Sequence, residues 1–484
     1  MPDPASPVDP HTRPASRLAR LGWVLFEWAT QPYFTLLTTF VYAPYFAAGI
    51  VADPARGQAL WGLAASGAGL VVAVLSPMLG AIADASGRRK PWIAGFGAML
   101  TLGAALLWIG RPNDPASVVP VLAAYGFGAI GAQGALVFSN GMMPTLVPPE
   151  RLGRLSGTGW ATGYAGGLVS LALTLGWLAA DPKSGTTLLG FVPLFGLDPA
   201  TRQGDRATGP LTALWFVVFA LPLFVFTPDQ PQKLPVRAAL RGGLATLART
   251  LRDLPRQRDL SLFLLANMIY ADGLVALFAF GGIYAAGTFG WRTTDIGVFG
   301  ILLATIGAFG AYLGGKLDDR FGPKAVIVGS LAVLITAAIA ILSVDRDRIA
   351  FVIAVAPPVA GHGLYASAAE RVYVAIGLAI GAVAGPMQAA SRSLLVRLTP
   401  PDRVTQTFGL FALSGRVTSF VGPFLVGIVT AATASQKSGM AVLVGFFLAG
   451  LLVITRVRVA PSPSACALSG RVKTGRPPGK RARS

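Results

Sequence analysis

Apolar stretches of about twenty residues recur along this chain and constrain its fold more than any other feature. A helix needs about 20 residues to cross a hydrocarbon core of about 30 Å. Only 13% of the 484 residues are charged, against roughly 25% in soluble domains. Because lipid offers no hydrogen bonds to the backbone, the sequence predicts an all-α membrane protein. The predicted spans cover approximately residues 21–48, 60–83, 91–109, 118–142, 156–179, 211–226, 261–286, 294–313, 323–344, 372–395, 405–432 and 439–454.

The distribution of basic residues indicates how these spans are oriented. The net charge of +19 would also suit a nucleic-acid-binding protein. With a cytoplasmic N-terminus, however, 28 of the 40 Lys and Arg residues fall on the inner side and ten on the outer side, while Arg392 and Arg416 lie within apolar segments. This alternation follows the positive-inside rule. We therefore expect a multi-pass protein of the inner (plasma) membrane with both termini in the cytoplasm and no nucleic-acid partner.

A polar turn after the second predicted span recurs after the eighth. The first copy reads Gly80-Ala-Ile-Ala-Asp84-Ala-Ser-Gly87-Arg88-Arg89-Lys90, and the second reads Gly315-Lys-Leu-Asp318-Asp319-Arg320-Phe-Gly322-Pro-Lys324. The two carboxylates lie 235 positions apart, close to half the chain. A repeat at this period predicts two similar six-helix halves.

The composition of the repeated turn is typical of a gate. Glycine permits a tight turn and close helix approach, and the carboxylate and bases could bridge to a neighbouring helix, so that one conformation is held closed. The alternative is a solvated loop of positive-inside charge. The gating candidates are Gly80, Asp84, Gly87, Arg88, Arg89, Gly315, Asp319, Arg320, Gly322 and Lys324.

Shifts in composition divide the chain into five parts. A basic, proline-containing linker separates the two predicted bundles, and an amphipathic helix within it could lie on the anionic inner leaflet. The parts are a disordered cytoplasmic leader (1–20), an N-terminal bundle (21–227), the linker (228–259), a C-terminal bundle (260–456) and a basic disordered tail (457–484). We expect outer loops at 181–209 and 345–370. If the apolar stretch 349–359 entered the membrane, the C-terminus would change sides.

The repeated turn resembles the loop signature of the major facilitator superfamily. Ile82 stands where leucine is usual and Ala85 where a basic residue is common; the second copy has Arg320 at the latter position but Pro323 after its glycine. The resemblance covers residues 20–456 approximately. It implies twelve transmembrane helices in two pseudo-symmetric six-helix bundles around a central cavity.

Five further stretches resemble the vacuole-effluxer-like family related to autophagy, whose bacterial members are transporters of unknown substrate. Its first helix usually has aspartate where this chain has Glu27. The resemblance implies amino-acid efflux as one expected activity. The five stretches are residues 23–33 (Trp-Val-Leu-Phe-Glu-Trp-Ala-Thr-Gln-Pro-Tyr), 138–157, 270–273 (Tyr-Ala-Asp-Gly), 388–393 (Gln-Ala-Ala-Ser-Arg-Ser) and 408–416.

Four charged residues inside predicted spans are the main candidates for substrate binding or coupling, since charges in the bilayer are costly. Glu27 lies about 9 Å into its helix at 1.5 Å per residue, so it could instead form a structural inner-gate pair. Asp272 lies deeper and is the candidate for a titrating or substrate-facing carboxylate. Arg392 and Arg416 could hold a substrate carboxylate, or could only pair with Glu27 or Asp272. The neutral candidates, which could equally be interhelical glue, are Gln31, Asn140, Asn267 and Gln388.

The sequence shows no catalytic constellation. It has two histidines, His11 and His362, and one cysteine, Cys466, without metal-ligand spacing, and no phosphate-binding loop. We therefore expect no enzyme, no catalytic residue, no metal and no cofactor.

These features favour a monomeric secondary transporter that moves a small polar solute, an amino acid being the leading example, by alternating access. Coupling to protons is a further hypothesis, motivated by Asp272. One alternative is an exporter or flippase for lipids or amphiphilic drugs. Another is a transport-silent membrane receptor or scaffold acting through its basic linker and tail.

Overall fold

The computed structural model describes residues 15–51, 53–291, 293–357 and 363–459. Within these ranges the side chains of residues 54, 55, 236, 237, 240, 241, 244, 293, 294, 416 and 417 lie outside the description. The disorder expected for residues 1–14 and 460–484 therefore falls outside the described residues, as do His11, His362 and Cys466.

The first half of the chain is helical apart from its connecting loops. The first helix continues through π-helical turns at Tyr33–Phe40 and Phe46–Ile50. The helices are α1 (Arg17–Pro32), α2 (Tyr42–Tyr45), α3 (Pro54–Ser86), α4 (Lys90–Leu106), α5 (Pro115–Gly141), α6 (Met143–Leu146), α7 (Leu152–Leu173) and α8 (Gln203–Phe226).

The second half follows a linker helix, α9 (Val236–Asp253), which lies where an amphipathic helix was expected. The remaining helices are α10 (Arg258–Phe289), α11 (Thr293–Phe321), α12 (Pro323–Ser343), α13 (Ala368–Leu398), α14 (Val404–Val417), α15 (Val421–Thr433) and α16 (Gln436–Thr455). Within the described ranges, eleven helices are long and apolar enough to cross a membrane.

The span predicted over 405–432 is formed by two helices, α14 and α15, rather than by one. The helix breaks between α14 and α15, where the amide of Val421 bonds to the carbonyl of Thr418 at 2.7 Å. Pro423 lies in the first turn of α15 and cannot donate the hydrogen bond that a continuing helix would need.

Two other boundaries differ from those expected. Helix α1 begins at Arg17 rather than residue 21, because the Ser16 side chain accepts a hydrogen bond from the amide of Ala19 at 3.1 Å. Helix α8 begins at Gln203, so Arg206 lies in a helix instead of the expected outer loop. Its guanidinium donates to the carbonyl of Trp108 at 2.7 Å.

The segment before α13 forms a short hairpin and not a membrane crossing. Strand β1 (Arg348–Ile349) pairs antiparallel with β2 (Ile353–Ala354). The apolar stretch 349–359 is therefore non-helical as far as residue 357, and residues 358–362 lie outside the described part of the chain.

The two halves meet closely at the end of the molecule that holds the repeated turns, here called the motif end. Helix α3 packs against α14, and α7 packs against α11. A Cβ added to Gly80 would lie 2.7 Å from the carbonyl oxygen of Thr405, and one added to Gly157 would lie 2.7 Å from the Cα of Gly315. The first glycine of each repeated turn thus permits contact between the halves.

Candidate functional site

The first motif loop (residues 80–90) fastens the first half of the chain to the start of α14. Gly87 has a φ of +87°, which favours glycine and turns the chain. Arg89 pairs with Asp84 at 3.0 Å, and both side chains are buried. Asp84 accepts from the amide of Gln406 at 2.8 Å, and Arg89 Nε donates to the hydroxyl of Thr405 at 2.7 Å. Arg88, the other candidate base, is exposed.

The second motif loop (residues 315–324) makes the corresponding contact with α7. Gly322 has the same φ of +87°. Asp319 accepts from the amide of Arg154 at 3.0 Å, and the Arg154 guanidinium lies 3.3 Å from the other carboxylate oxygen. Each repeated carboxylate therefore accepts from a backbone amide near the start of a helix in the opposite half. Arg320 is exposed and lies over the ring of Phe321.

A lysine after each motif glycine holds a helix end within its own half. Lys90 Nζ donates to the carbonyl of Phe224 at 2.8 Å, at the end of α8. Lys324 Nζ donates to the carbonyls of Thr455 and Val457 at 2.8 and 2.7 Å, after α16. These two contacts indicate that Lys324 fastens a helix end rather than the opposite half.

The structure adds a second buried carboxylate that the sequence reasoning did not select. Asp318 is 1% exposed, accepts a hydrogen bond from Ser393 and lies 3.3 Å from Arg397. All three residues belong to the second half. The sequence does contain a pattern that points to this contact. Ser393 and Arg397 are four residues apart, so they share one face of α13 and can both reach the same carboxylate.

A buried ion pair joins the two halves near the motif end. Glu27 on α1 and Arg392 on α13 are 7% and 5% exposed, and Arg392 Nη1 donates to the Glu27 carboxylate. The same nitrogen donates to Asn140 Oδ1 at 3.0 Å on α5. Arg392 also donates to the hydroxyl and carbonyl of Ser156 on α7, at 3.1 and 2.9 Å. The predicted candidates Glu27, Asn140 and Arg392 thus meet in one cluster, here called the central cluster.

Indole rings enclose the central cluster. The guanidinium carbon of Arg392 lies 5.3 Å from the ring centre of Trp160 and 5.8 Å from that of Trp23. Trp23 is held by a hydrogen bond from its indole nitrogen to the carbonyl of Ser139 at 2.8 Å. A Cβ on Gly159 would lie 2.9 Å from the Trp23 ring. The charges are therefore screened from solvent by packed aromatic side chains.

A cavity of about 140 Å³ lies on the far side of the central cluster from the motif end. Gln31, one turn beyond Glu27 on α1, lines it together with side chains of α7 and α11. One of these, Tyr164, interacts with the side chain of Gln388. The full lining consists of Gln31, Phe34, Thr35, Thr39, Phe40, Tyr164, Leu168, Leu171, Ile301 and Ala304. The lining is mainly apolar, with a few polar groups.

The remaining candidates lie between α10 and the broken helix α14–α15. Asp272 is 2% exposed, and its Oδ1 has no hydrogen-bond partner among the described residues. Asn267 donates to Ser414 at 3.4 Å. The side chain of Arg416 lies outside the described residues. Among the described side chains, Arg392 pairs with Glu27 and not with Asp272.

An exposed ion pair lies at the opposite end of the second half. The ammonium of Lys437 donates to Asp345 at 2.7 Å and lowers the pKa of that carboxyl below its ordinary value. Both side chains are more than a third exposed, so solvent screens the interaction.

Two solved transporters have a similar arrangement of helices. The chain is similar to the human organic anion transporter MFSD10 (TETRAN), with a TM-score of 0.63 and 16% identity over 92% of this chain and 100% of that one. It is also similar to the proton:xylose symporter XylE, with a TM-score of 0.63 and 15% identity over 91% of this chain and 95% of that one. These likenesses define the major facilitator fold and confirm the predicted twelve-helix, two-bundle architecture.

Comparison of the sequence identifies the family more narrowly than the fold does. The family model described as "Vacuole effluxer Atg22 like" matches residues 63–466, so the chain belongs to this family of membrane transporters, which are not enzymes. The resemblance inferred from the five sequence stretches is thereby confirmed.

Two relatives show how far the similarity extends. The MFS-type transporter YxiO of Bacillus subtilis is 21% identical over 90% of this chain and 94% of its own length. Autophagy-related protein 22 of Cryptococcus neoformans is 24% identical over 63% of this chain and 50% of its own length. The chain thus spans about half the length of this fungal relative.

Proposed function

We propose that this protein exports a small solute bearing a carboxylate, such as an amino acid, by alternating access, with the central cluster as the gate. The observation behind the proposal is the buried Glu27–Arg392 pair, whose partners belong to different halves of the chain. If the halves rock apart at the motif end, this pair must break. A ligand that replaces Glu27 at the guanidinium would therefore bias the equilibrium between the two states.

The choice of a carboxylate follows from the chemistry of Arg392. A guanidinium binds carboxylates through parallel charge-assisted hydrogen bonds. The cavity of about 140 Å³ beyond the pair is small beside the roughly 300–1,000 Å³ of drug-sized sites. Gln31, Thr35 and Thr39 supply polar groups for the remainder of a small solute. We also propose Asn140, Asn267 and Gln388 as polar contacts along the path.

Proton coupling is proposed for Asp272. Its carboxylate is buried, and one oxygen lacks a partner among the described side chains. Buried carboxylates in transporters are typical of proton relays. Asp272→Asn should abolish gradient-driven transport in proteoliposomes and leave counterflow, which needs no net proton movement. Full gradient-driven transport by this variant would show that Asp272 does not couple transport to protons.

The substrate class is tested by a thermal-shift screen of the purified protein with amino acids, peptides, sugars, nucleosides and lipids. We expect stabilisation by carboxylated solutes and its loss in Arg392→Gln. Arg202→Gln is the matched control, because Arg202 also pairs with a buried carboxylate, Asp205, within one half. A ligand that stabilises wild type and Arg392→Gln equally would refute binding at Arg392.

The alternative function is export of a lipid or an amphiphilic drug. Six of the ten cavity-lining residues are apolar, and Arg392 is not among them, which favours an apolar ligand. In the thermal-shift screen this function predicts stabilisation by amphiphiles alone, insensitive to Arg392→Gln.

We further propose that the protein works as a monomer in the inner membrane, with the motif end and both termini in the cytoplasm. We keep the proposed division into bundles at 21–227 and 260–456, joined by the basic linker 228–259. Cys466 is the only cysteine, so a membrane-impermeant maleimide should label it only after the membrane is permeabilised. Labelling of intact cells would refute this orientation.

A further inference from the structure

A basic groove at the motif end of the second half is separate from the central cluster and the motif ion pairs. It has a volume of about 560 Å³ and is lined by the start of α10, the start of α12 and the turn that follows α16. Four cationic side chains line it: Arg258, Lys324, Arg456 and Arg458.

Among the described residues, no salt bridge offsets the charges of this groove. The nearby carboxylate of Asp259 instead accepts from the backbone amide of Arg458 at 2.8 Å. The three arginines are exposed, so their guanidinium groups are available to an external anion.

Two helix N-termini reinforce the positive potential. Helices α10 and α12 both begin at the groove, and their N-cap residues, Gln257 and Gly322, supply no side-chain hydrogen bond to the first turn. The helix dipole and the free amides of the first turn favour an anion at such an end, although α12 begins with Pro323, which has no amide, and Asp259 lies in the first turn of α10. Lys324 holds the turn after α16 through two backbone carbonyls, so the groove is built on fixed elements.

Two exposed apolar side chains lie within four residues, along the chain, of residues that line the groove. Phe321, immediately before the N-cap of α12, is 60% exposed, and Leu452, in the last turn of α16, is 62% exposed. Because α10, α12 and α16 are membrane-spanning, their ends lie at the level of the lipid headgroups. A ligand that pairs a phosphate with acyl chains fits both the charged groove and its apolar margin.

We propose that this groove binds the phosphate of an anionic phospholipid headgroup in the leaflet at the motif end. The site depends on neither the transported solute nor the direction of transport. It places a regulatory or anchoring lipid at the junction of three helices of the second half.

The test uses the purified full-length chain in neutral detergent, with phosphatidylglycerol or phosphatidylcholine added and binding followed by thermal shift and native mass spectrometry. We expect phosphatidylglycerol to stabilise the protein and to remain bound, and phosphatidylcholine to do neither. In Arg258→Gln/Arg456→Gln/Arg458→Gln, affinity should fall about 100-fold, since each basic residue near a lipid surface contributes about 1 kcal/mol.

The matched control is Arg249→Gln/Arg252→Gln/Arg256→Gln, which removes the same charge from the linker region and should keep the lipid. Equal losses in both triple variants, or equal binding of phosphatidylcholine, would overturn the proposal. Equal stabilisation by inorganic phosphate at the same concentration would also overturn it, because the ligand would then be a soluble phosphate. If the triple variant fails to fold, Arg456→Gln alone provides the same comparison, with roughly fivefold weaker binding expected for one basic residue.

Discussion

Removing the Glu27 carboxylate tests whether the central cluster holds the motif end closed. In Glu27→Ala, the buried guanidinium of Arg392 loses its anionic partner and retains only the neutral acceptors of Asn140 and Ser156. The charge then remains buried without compensation whenever the halves are closed. Opening at the motif end allows it to be hydrated.

The size of the effect follows from burial. Both side chains of the pair are less than a tenth exposed, and removing one partner of a buried pair costs about 3–5 kcal/mol. Since about 1.4 kcal/mol is a factor of ten, the open-to-closed ratio should rise by roughly two to three and a half powers of ten. Replacing both partners by apolar groups leaves no buried charge, so Glu27→Ala/Arg392→Met should recover most of the closed state.

Distance measurement between spin labels reports this ratio directly. Labels at Arg151→Cys, before α7, and Asp402→Cys, before α14, lie in opposite halves at the motif end, and both positions are exposed. Cys466→Ser removes the native thiol from the background. We expect wild type to give a short distance, Glu27→Ala to add a longer one, and the double variant to return toward the short distance.

The control variant is Asp205→Ala. Its partner Arg202 lies three residues away, so their ion pair stays within one half when the molecule opens. This variant should leave the distance distribution unchanged. A Glu27→Ala distribution identical to wild type, or a double variant as open as the single one, would show that the pair does not control closure.

Two further predictions concern packing and pH. Gly157→Val should stall transport in proteoliposomes, because even a Cβ at this position would lie 2.7 Å from the Cα of Gly315. The control is Gly95→Val, whose Cβ meets open space and which should keep near wild-type flux. Lys437→Gln should raise the pKa of Asp345 toward its ordinary value of about 3.9. Because the folded-state pKa is depressed, this carboxylate stabilises the fold above its ordinary pKa and loses that contribution as pH falls through the folded value. As the pH is lowered, the melting temperature of Lys437→Gln should therefore fall slightly less than that of wild type. The same dependence of melting temperature on pH in both proteins would contradict this prediction.

Local properties of the sequence predicted the helical class and the repeated turns. Hydrophobic stretches of spanning length identify crossings, since the bilayer imposes the same length on each. The glycines at 87 and 322 were recognisable because only glycine readily adopts the positive φ that both turns require. Pro423 also signals the break before α15, although the apolar character of 405–432 concealed it.

The partners of the predicted charges could not be read from the sequence. Arg88 and Arg89 are adjacent and chemically alike, and only the direction of the chain after Gly87 buries Arg89 against Asp84. Asp84 also depends on the amide of Gln406, more than 300 residues away. The pairing of Glu27 with Arg392 was one of several combinations left open, because a one-dimensional pattern does not specify which helices are neighbours.

Four ion pairs at and near the motif end differ in what opening does to them, and this difference identifies the pair that contributes most to the cost of opening. The Asp84–Arg89 and Asp318–Arg397 pairs each join residues of a single half, so rigid-body rocking leaves them intact. The Arg154–Asp319 pair crosses between halves, but its arginine side chain is 60% exposed.

An exposed pair of that kind contributes only about 0.2–1 kcal/mol, whereas breaking a buried pair by removing one partner costs several times more. Among the described ion pairs, only Glu27–Arg392 both crosses between halves and is fully enclosed. The motif loops therefore shape the closed contact through glycine packing and backbone hydrogen bonds. The larger electrostatic cost of opening lies in the central cluster, next to the cavity, where a bound solute can alter it.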